Sequence, residues 1–208
     1  MNRPLIALDC DGVLLDYSLA YASLWERAFG VYPKEKNPNA YSHFDRWDVS
    51  RLSGENLQRL RSCMDWHFWS TMQPINGAVE ACHELVSMGY DLVCVTAIDH
   101  KNSKHRWENL ISMGFPIKEI YATGSDKVDG NSPKAETINQ LNPDYFVDDF
   151  ADYFIGVGKT TCVLLDRNSD EGSPNFDKGD LYDYSVLTLN DFVDFVKGVN
   201  VWKMIGEK

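Results

Sequence analysis

Two aspartates stand one residue apart and are followed by glycine: Asp9-Cys10-Asp11-Gly12. A carboxylate pair at that spacing can divide the work of phosphoryl transfer. Asp9 can attack phosphorus and carry an aspartyl-phosphate, while Asp11 protonates the leaving oxygen and later takes a proton from the hydrolytic water. Gly12 lets the backbone turn sharply behind them. A phosphate placed among several carboxylates needs a cation, and an all-oxygen ligand set completed by waters suits Mg²⁺. Taken alone, Asp-x-Asp-Gly is also a common turn, so the pair gains weight only from what surrounds it.

What surrounds it is an alternation of apolar runs and helical patterns. Leu5-Ile-Ala-Leu ends at Asp9, Leu92-Val-Cys-Val at Thr96, Tyr145-Phe-Val at Asp148-Asp149, and Thr161-Cys-Val-Leu-Leu at Asp166; Ile117 to Ala122 is a weaker strand signal. Between them, Ala78, Val79, Cys82, Leu85 and Val86 recur at helical spacing before Gly89, as do Trp107, Leu110 and Ile111 before Gly114. Ser132-Pro133 reads as a helix start, with Ala135, Ile138 and Leu141 forming the apolar face. Strands alternating with helices predict an α/β fold, a Rossmann-like doubly wound parallel sheet. Its carboxyl edge would gather Asp9, Asp11, Thr96, Asp148 and Asp149 in one place.

The stretch from about Tyr17 to Thr71 interrupts the alternation. Tyr21, Leu24, Trp25, Ala28 and Phe29 before Gly30 make an amphipathic helix, and Gly54 to Cys63 is compatible with another. The expected organisation is a core of residues 1–16 and 72–208 with a small helical insertion, 17–71, above the sheet. Residues 168–180, rich in Asp, Gly and Ser, read as an exposed loop.

Composition narrows the partners. The 208 residues carry a net charge of -11, which repels a nucleic-acid backbone, yet a local metal site can still take a small phosphorylated metabolite. No apolar run is long enough to span a bilayer, and the N-terminus turns polar too early for a secretory signal, so a cytoplasmic location is expected, without nucleic-acid or membrane partners. Cys10, Cys63, Cys82, Cys94 and Cys162 are scattered and odd in number, as reduced and mostly buried thiols would be. The five histidines show no catalytic pairing and read as surface or packing residues. Monomer and homodimer both stay open.

Asp9-Cys-Asp11-Gly12-Val13-Leu14, Thr96, a lysine and Asp148-Asp149 resemble, in order, the four motifs of the haloacid dehalogenase (HAD) superfamily. The resemblance implies that Asp9 is nucleophile and metal ligand, and that Asp11 gives its main-chain carbonyl to Mg²⁺ and its side chain to acid/base work. It puts the Thr96 hydroxyl and the Ala97 amide on the phosphoryl oxygens. Asp149 becomes a metal ligand with Asp148 beside it, and Asp152 a further acidic residue of that motif. An aspartate at position 11 is similar to the phosphatase and phosphotransferase branches; the dehalogenases lack it. The motif lysine is Lys134, in the first turn of a helix, or its rival Lys127; either taken singly is an ordinary solvated lysine.

The insertion resembles a C1-type cap, which selects the leaving group. Tyr41, Phe44, Trp47, Trp66, Phe68 and Trp69 offer candidates for stacking on a planar group, with Phe44 and Trp47 taken as substrate contacts; the plainer reading is that they form the insertion's own core. Asp11-Gly-Val-Leu, Phe68-Trp69, Pro74-Ile-Asn-Gly77-Ala78 and Lys104-His-Arg-Trp107 further resemble the 5'(3')-deoxyribonucleotidases, although Val95-Thr96-Ala97 departs from their Thr-Ser. The expected activity is Mg²⁺-dependent phosphomonoester hydrolysis, on a (deoxy)nucleoside monophosphate, a sugar phosphate or another small metabolite. A non-catalytic phosphate-binding or receiver-type module is the competing class.

Overall fold

The computed structural model describes residues 3–167 and 172–198. Six strands, β1 (Leu5–Leu8), β2 (Asp91–Thr96), β3 (Glu119–Ala122), β4 (Tyr145–Asp148), β5 (Thr161–Leu165) and β6 (Tyr184–Val186), form one sheet in the order β3-β2-β1-β4-β5-β6. Every pairing is parallel. Because strand side chains alternate between faces, Ile6 and Leu8 enter one apolar cluster and Ala7 the opposite one. Both faces are thus covered, as a parallel sheet requires. This is the doubly wound fold expected from the alternation.

The first apolar cluster is completed by α1 (Tyr17–Phe29), α5 (Ala78–Ser87), α6 (Ser103–Ser112) and α8 (Leu189–Val196). The second takes α7 (Ala135–Leu141) through Ile138, with Phe146, Phe154 and Leu164. Helix α1 is capped as its sequence suggests: Asp16 accepts the N–H of Leu19 at 2.8 Å, and Gly30 closes it at φ 79°. Helix α7 begins later than Ser132-Pro133 implies. The Ser132 hydroxyl instead accepts the N–H of Lys134 in the turn before the helix, which starts at Ala135. β6 and α8 go beyond the sequence expectation; Tyr184-Ser-Val is too short to show a period. α8 is fixed by a capping box between Thr188 and Asp191.

Between β1 and α5 lie α1, α2 (His43–Arg46), α3 (Gly54–Ser62) and α4 (Trp66–Ser70). The two chain passages joining this segment to the sheet are tied to each other: Asp16 N–H donates to the Gln73 carbonyl and Ile75 N–H to the Leu14 carbonyl, each at 2.9 Å. Fully buried Asn109 of α6 then grips Met72, accepting its N–H and donating to its carbonyl, both at 3.0 Å. The return passage is therefore anchored both to the outgoing passage and, through Asn109, to α6. No helix among the described residues is long and apolar enough to cross a membrane.

Of the expected 168–180 loop, residues 168–171 lie outside the described residues, and 172–180 contains only turns. It is not wholly exposed. Asn175 is buried, donating to the Asp149 carbonyl and accepting from the Ala151 N–H, each at 2.9 Å. All five cysteines are free, and only Cys63 is partly exposed.

Replacing Asn109 with alanine leaves both Met72 backbone groups buried without partners. The expected loss is about 2–4 kcal/mol of unfolding free energy, read from urea denaturation, with a change below about 0.5 kcal/mol contradicting the anchor.

Candidate active site

The sheet order reverses direction at β1, whose neighbours are β2 on one side and β4 on the other. Ligands in open α/β sheets bind at such a switch point, beyond the carboxyl ends of the strands. The register there pairs Leu8 with Val147, so Asp9 and Asp148 emerge side by side. Asp149 follows, and carboxylate oxygens of Asp9, Asp148 and Asp149 lie within 4.8 Å of one another.

Lys134 enters from the turn before α7, fully buried, with Nζ 2.6 Å from Asp9 and 2.6 Å from Asp148. Burial works against its charge, but Asp148 and Asp9 outweigh burial and push the ammonium pKa up. The carboxyls respond to the same crowding. Burial raises Asp148 to about 7, with Lys134 opposing, and raises Asp149 well above the carboxylate range, with Asp9 and Asp148 adding their repulsion. One lysine does not balance three carboxylates. The donor set, all oxygen and short of positive charge, fits a hard divalent cation held by Asp9 and Asp149 while Lys134 serves Asp9 and Asp148.

Asp11 faces a different cation. Its oxygens lie 2.9 and 3.2 Å from Nη2 of Arg106, which is fully buried on α6. Burial pushes the Asp11 carboxyl up and Arg106 draws it down. Arg106 is held in turn by the Met72 sulfur at 2.8 Å and by the ring of Trp69, whose centroid is 5.2 Å away. The Asp11 side chain is thereby fixed from α6 and from the end of the inserted helices. The resemblance carried by Lys104-His-Arg-Trp107 assigns Arg106 no task. The signal was present in principle, since an arginine at a helix position otherwise facing the core must have a carboxylate to meet.

Thr96 ends β2, is buried, and lines with Ala97 the same cavity as Asp9, Asp11 and Asp149. The cavity measures about 500 Å³. Lys127 does not reach it: that lysine is exposed and lies 3.9 Å from Asp152. Asp152 is itself bound to Lys178 at 2.6 Å, apart from the carboxylate cluster.

Of the six aromatics singled out in the insertion, Tyr41 and Phe44 line the cavity. Trp47 does not; it is buried, donating Nε1–H to the Ser18 carbonyl at 2.8 Å and meeting the Tyr32 ring edge-on. Its indole needed a buried acceptor, and the backbone of α1 supplied one. Phe68 belongs to the main core, Trp69 covers Arg106, and Trp66 is exposed. His43, read as a surface or packing residue, is a wall of the cavity, with its ring centroid 3.9 Å from that of Tyr21.

No family model matches the sequence, and a search of curated proteins returns no match. Solved structures do match. A predicted phosphatase from Clostridium acetobutylicum superposes with a TM-score of 0.63 at 13% identity, covering 95% of this chain and 100% of that one. A HAD family hydrolase from Deinococcus radiodurans, solved with bound phosphate and sodium, gives 0.60 at 14% identity, with 94% and 96% covered. The L-2-haloacid dehalogenase of Xanthobacter autotrophicus gives 0.59 at 12% identity, with 94% and 98% covered. At these identities the likeness shows the fold. The chain has the Rossmann-like α/β fold that HAD hydrolases, phosphatases and dehalogenases among them, share.

Gly12 is the point at which that fold leaves no tolerance. Its φ is +93°, and a Cβ there would sit 1.9 Å from Oδ2 of Asp149. Gly12→Ala must displace the Asp149 carboxylate. Calorimetry should show divalent-cation affinity weakened about 10- to 100-fold, and unchanged affinity would remove Asp149 from the cation site.

Proposed function

We propose that this protein is a Mg²⁺-dependent phosphomonoester hydrolase working through an aspartyl-phosphate on Asp9. The observation that carries the reading is the cluster of Asp9, Asp148 and Asp149, the first two paired with one buried lysine, with Asp11 on the same cavity. Asp9 and Asp149, with the main-chain carbonyl of Asp11, would hold the cation. When bound, it supplies charge neutralisation and orientation for a phosphoryl group among carboxylates.

In the first step an Asp9 oxygen bonds to phosphorus as the ester P–O bond breaks, and Asp11 gives its proton to the departing alkoxide. In the second, Asp11 takes a proton from water, the water oxygen bonds to phosphorus, and the Asp9–phosphorus bond breaks to release inorganic phosphate. Thr96 and the Ala97 amide receive the phosphoryl oxygens. Lys134 keeps the Asp9 carboxylate oriented and partly neutralised between attacks. The resemblance to phosphatases over dehalogenases rests on Asp11, because a halide leaving group needs no proton and an alkoxide does.

Residues 17–71 act as a cap that shapes the leaving-group end of the cavity. A volume of about 500 Å³ with Tyr41 and Phe44 in its wall suits a nucleoside monophosphate or a sugar phosphate. Phosphate release from a panel of such esters should require Mg²⁺ and be lost in Asp9→Asn. Asp11→Asn should fall by about 10²- to 10⁴-fold. Release persisting in both variants would remove the mechanism.

A further inference from the structure

The cavity that holds the carboxylates is also lined by the 38–44 segment, Tyr17, Ser18 and two arginines of the inserted segment, Arg46 and Arg51. The two arginines differ in their commitments. Arg46 is taken up by Asp16, at 3.1 Å to both oxygens, and by Glu35 at 2.9 Å. Arg51 makes no ion pair with any carboxylate among the described residues. Its guanidinium lies over the Phe44 ring, 4.8 Å from the centroid.

Arg51 is exposed to solvent on the cavity wall and so is open to an anion that enters there. A guanidinium resting on an aromatic face is held in one plane, with its N–H donors directed along that plane where a carboxylate or phosphate can accept two at once. The surroundings preserve this. His43, adjacent on the same wall, has its pKa lowered to about 4 by burial and then by Arg51 itself, so the imidazole is neutral at physiological pH and does not compete for an anion. Arg167, on the same cavity, acts on Asp149, and Arg46 is paired with Asp16 and Glu35, which leaves Arg51 as the cavity arginine with no carboxylate set against it among the described residues.

The geometry points to a second anion-binding subsite: Arg51, seated on Phe44, receives a carboxylate or second phosphate carried by the leaving group. This rests on the phosphohydrolase reading and deepens it. The preferred substrates are phosphomonoesters whose alcohol portion is itself anionic, and neutral alcohols are poor leaving groups for lack of this contact.

Matched esters test it in two arms. One sets 3-(phosphonooxy)propanoate against its methyl ester, and the other sets 1,3-propanediol bisphosphate against 3-methoxypropyl phosphate. Within each pair the reacting end is the same and the far charge differs. With Mg²⁺, kcat/KM should favour the anionic member by about tenfold or more in at least one arm, and the favoured arm tells carboxylate from phosphate. The ratio should collapse toward one in Arg51→Gln and be partly kept in Arg51→Lys. A ratio near one in both arms, or one that survives Arg51→Gln, overturns the subsite. Calorimetry of the same pairs with Mg²⁺ and the Asp9→Asn protein reads the discrimination without turnover. A tenfold binding preference there supports the subsite even if wild-type protein hydrolyses none of the four, an outcome that would sink only the phosphohydrolase reading; equal binding overturns the subsite.

Discussion

The Lys134 ammonium lies between Asp9 and Asp148, 2.6 Å from each, and is sealed from solvent. A lone buried carboxylate would neutralise itself by taking up a proton, and a lone buried lysine by giving one up. Held together, the ammonium and the two carboxyl groups offset part of the cost of one another's burial. The balance is deliberately incomplete in the sense that matters for chemistry: Asp149 adds a further carboxylate with no second lysine to meet it. That deficit is what the proposed cation would meet.

Much of the remaining structure can be read as support for this cluster. Sheet order places the ends of β1 and β4 together, which no local feature of either strand would do. Asn175 holds the backbone around Asp149 and Ala151 from a distant turn. Gly12 gives the Asp149 carboxylate the space that any side chain would take. Arg106 fixes Asp11 and is itself lodged against Met72 and Trp69, so Asp11 is packed against the segment that carries the inserted helices. The cluster is therefore held by the core on one side and by the insertion on the other.

What the sequence disclosed follows from which signals are local. Apolar runs ending in aspartate or threonine disclosed β1, β2, β4 and the edge they share, because strand period and burial are written residue by residue. Asp9, Asp11, Thr96 and Asp149 could be named for that reason. Choosing between Lys134 and Lys127 was beyond it: both are lysines in polar surroundings, and only the turn before α7 decides which one is carried into the core. Arg106 and Asn175 were passed over because their partners lie 95 and 26 residues away. Trp47 was misplaced because aromatic type says nothing about direction, and its N–H found the Ser18 carbonyl rather than the cavity. β6 was missed because a three-residue strand has too little length for a period, whereas α8 was passed over although Leu189, Phe192, Val193 and Val196 recur at helical spacing behind the Thr188 capping box.

The account stands on Asp9 as the atom that carries phosphate between the two steps. Rapid acid quenching during turnover of a ³²P-labelled phosphomonoester tests this directly. The expected result is a phosphoprotein whose label is stable in acid, released by hydroxylamine as an acyl phosphate should be, and located by mass spectrometry on Asp9. Steady hydrolysis with no labelled protein at any quench time, together with inversion of configuration at a chiral phosphoryl group where two successive displacements require retention, would contradict it.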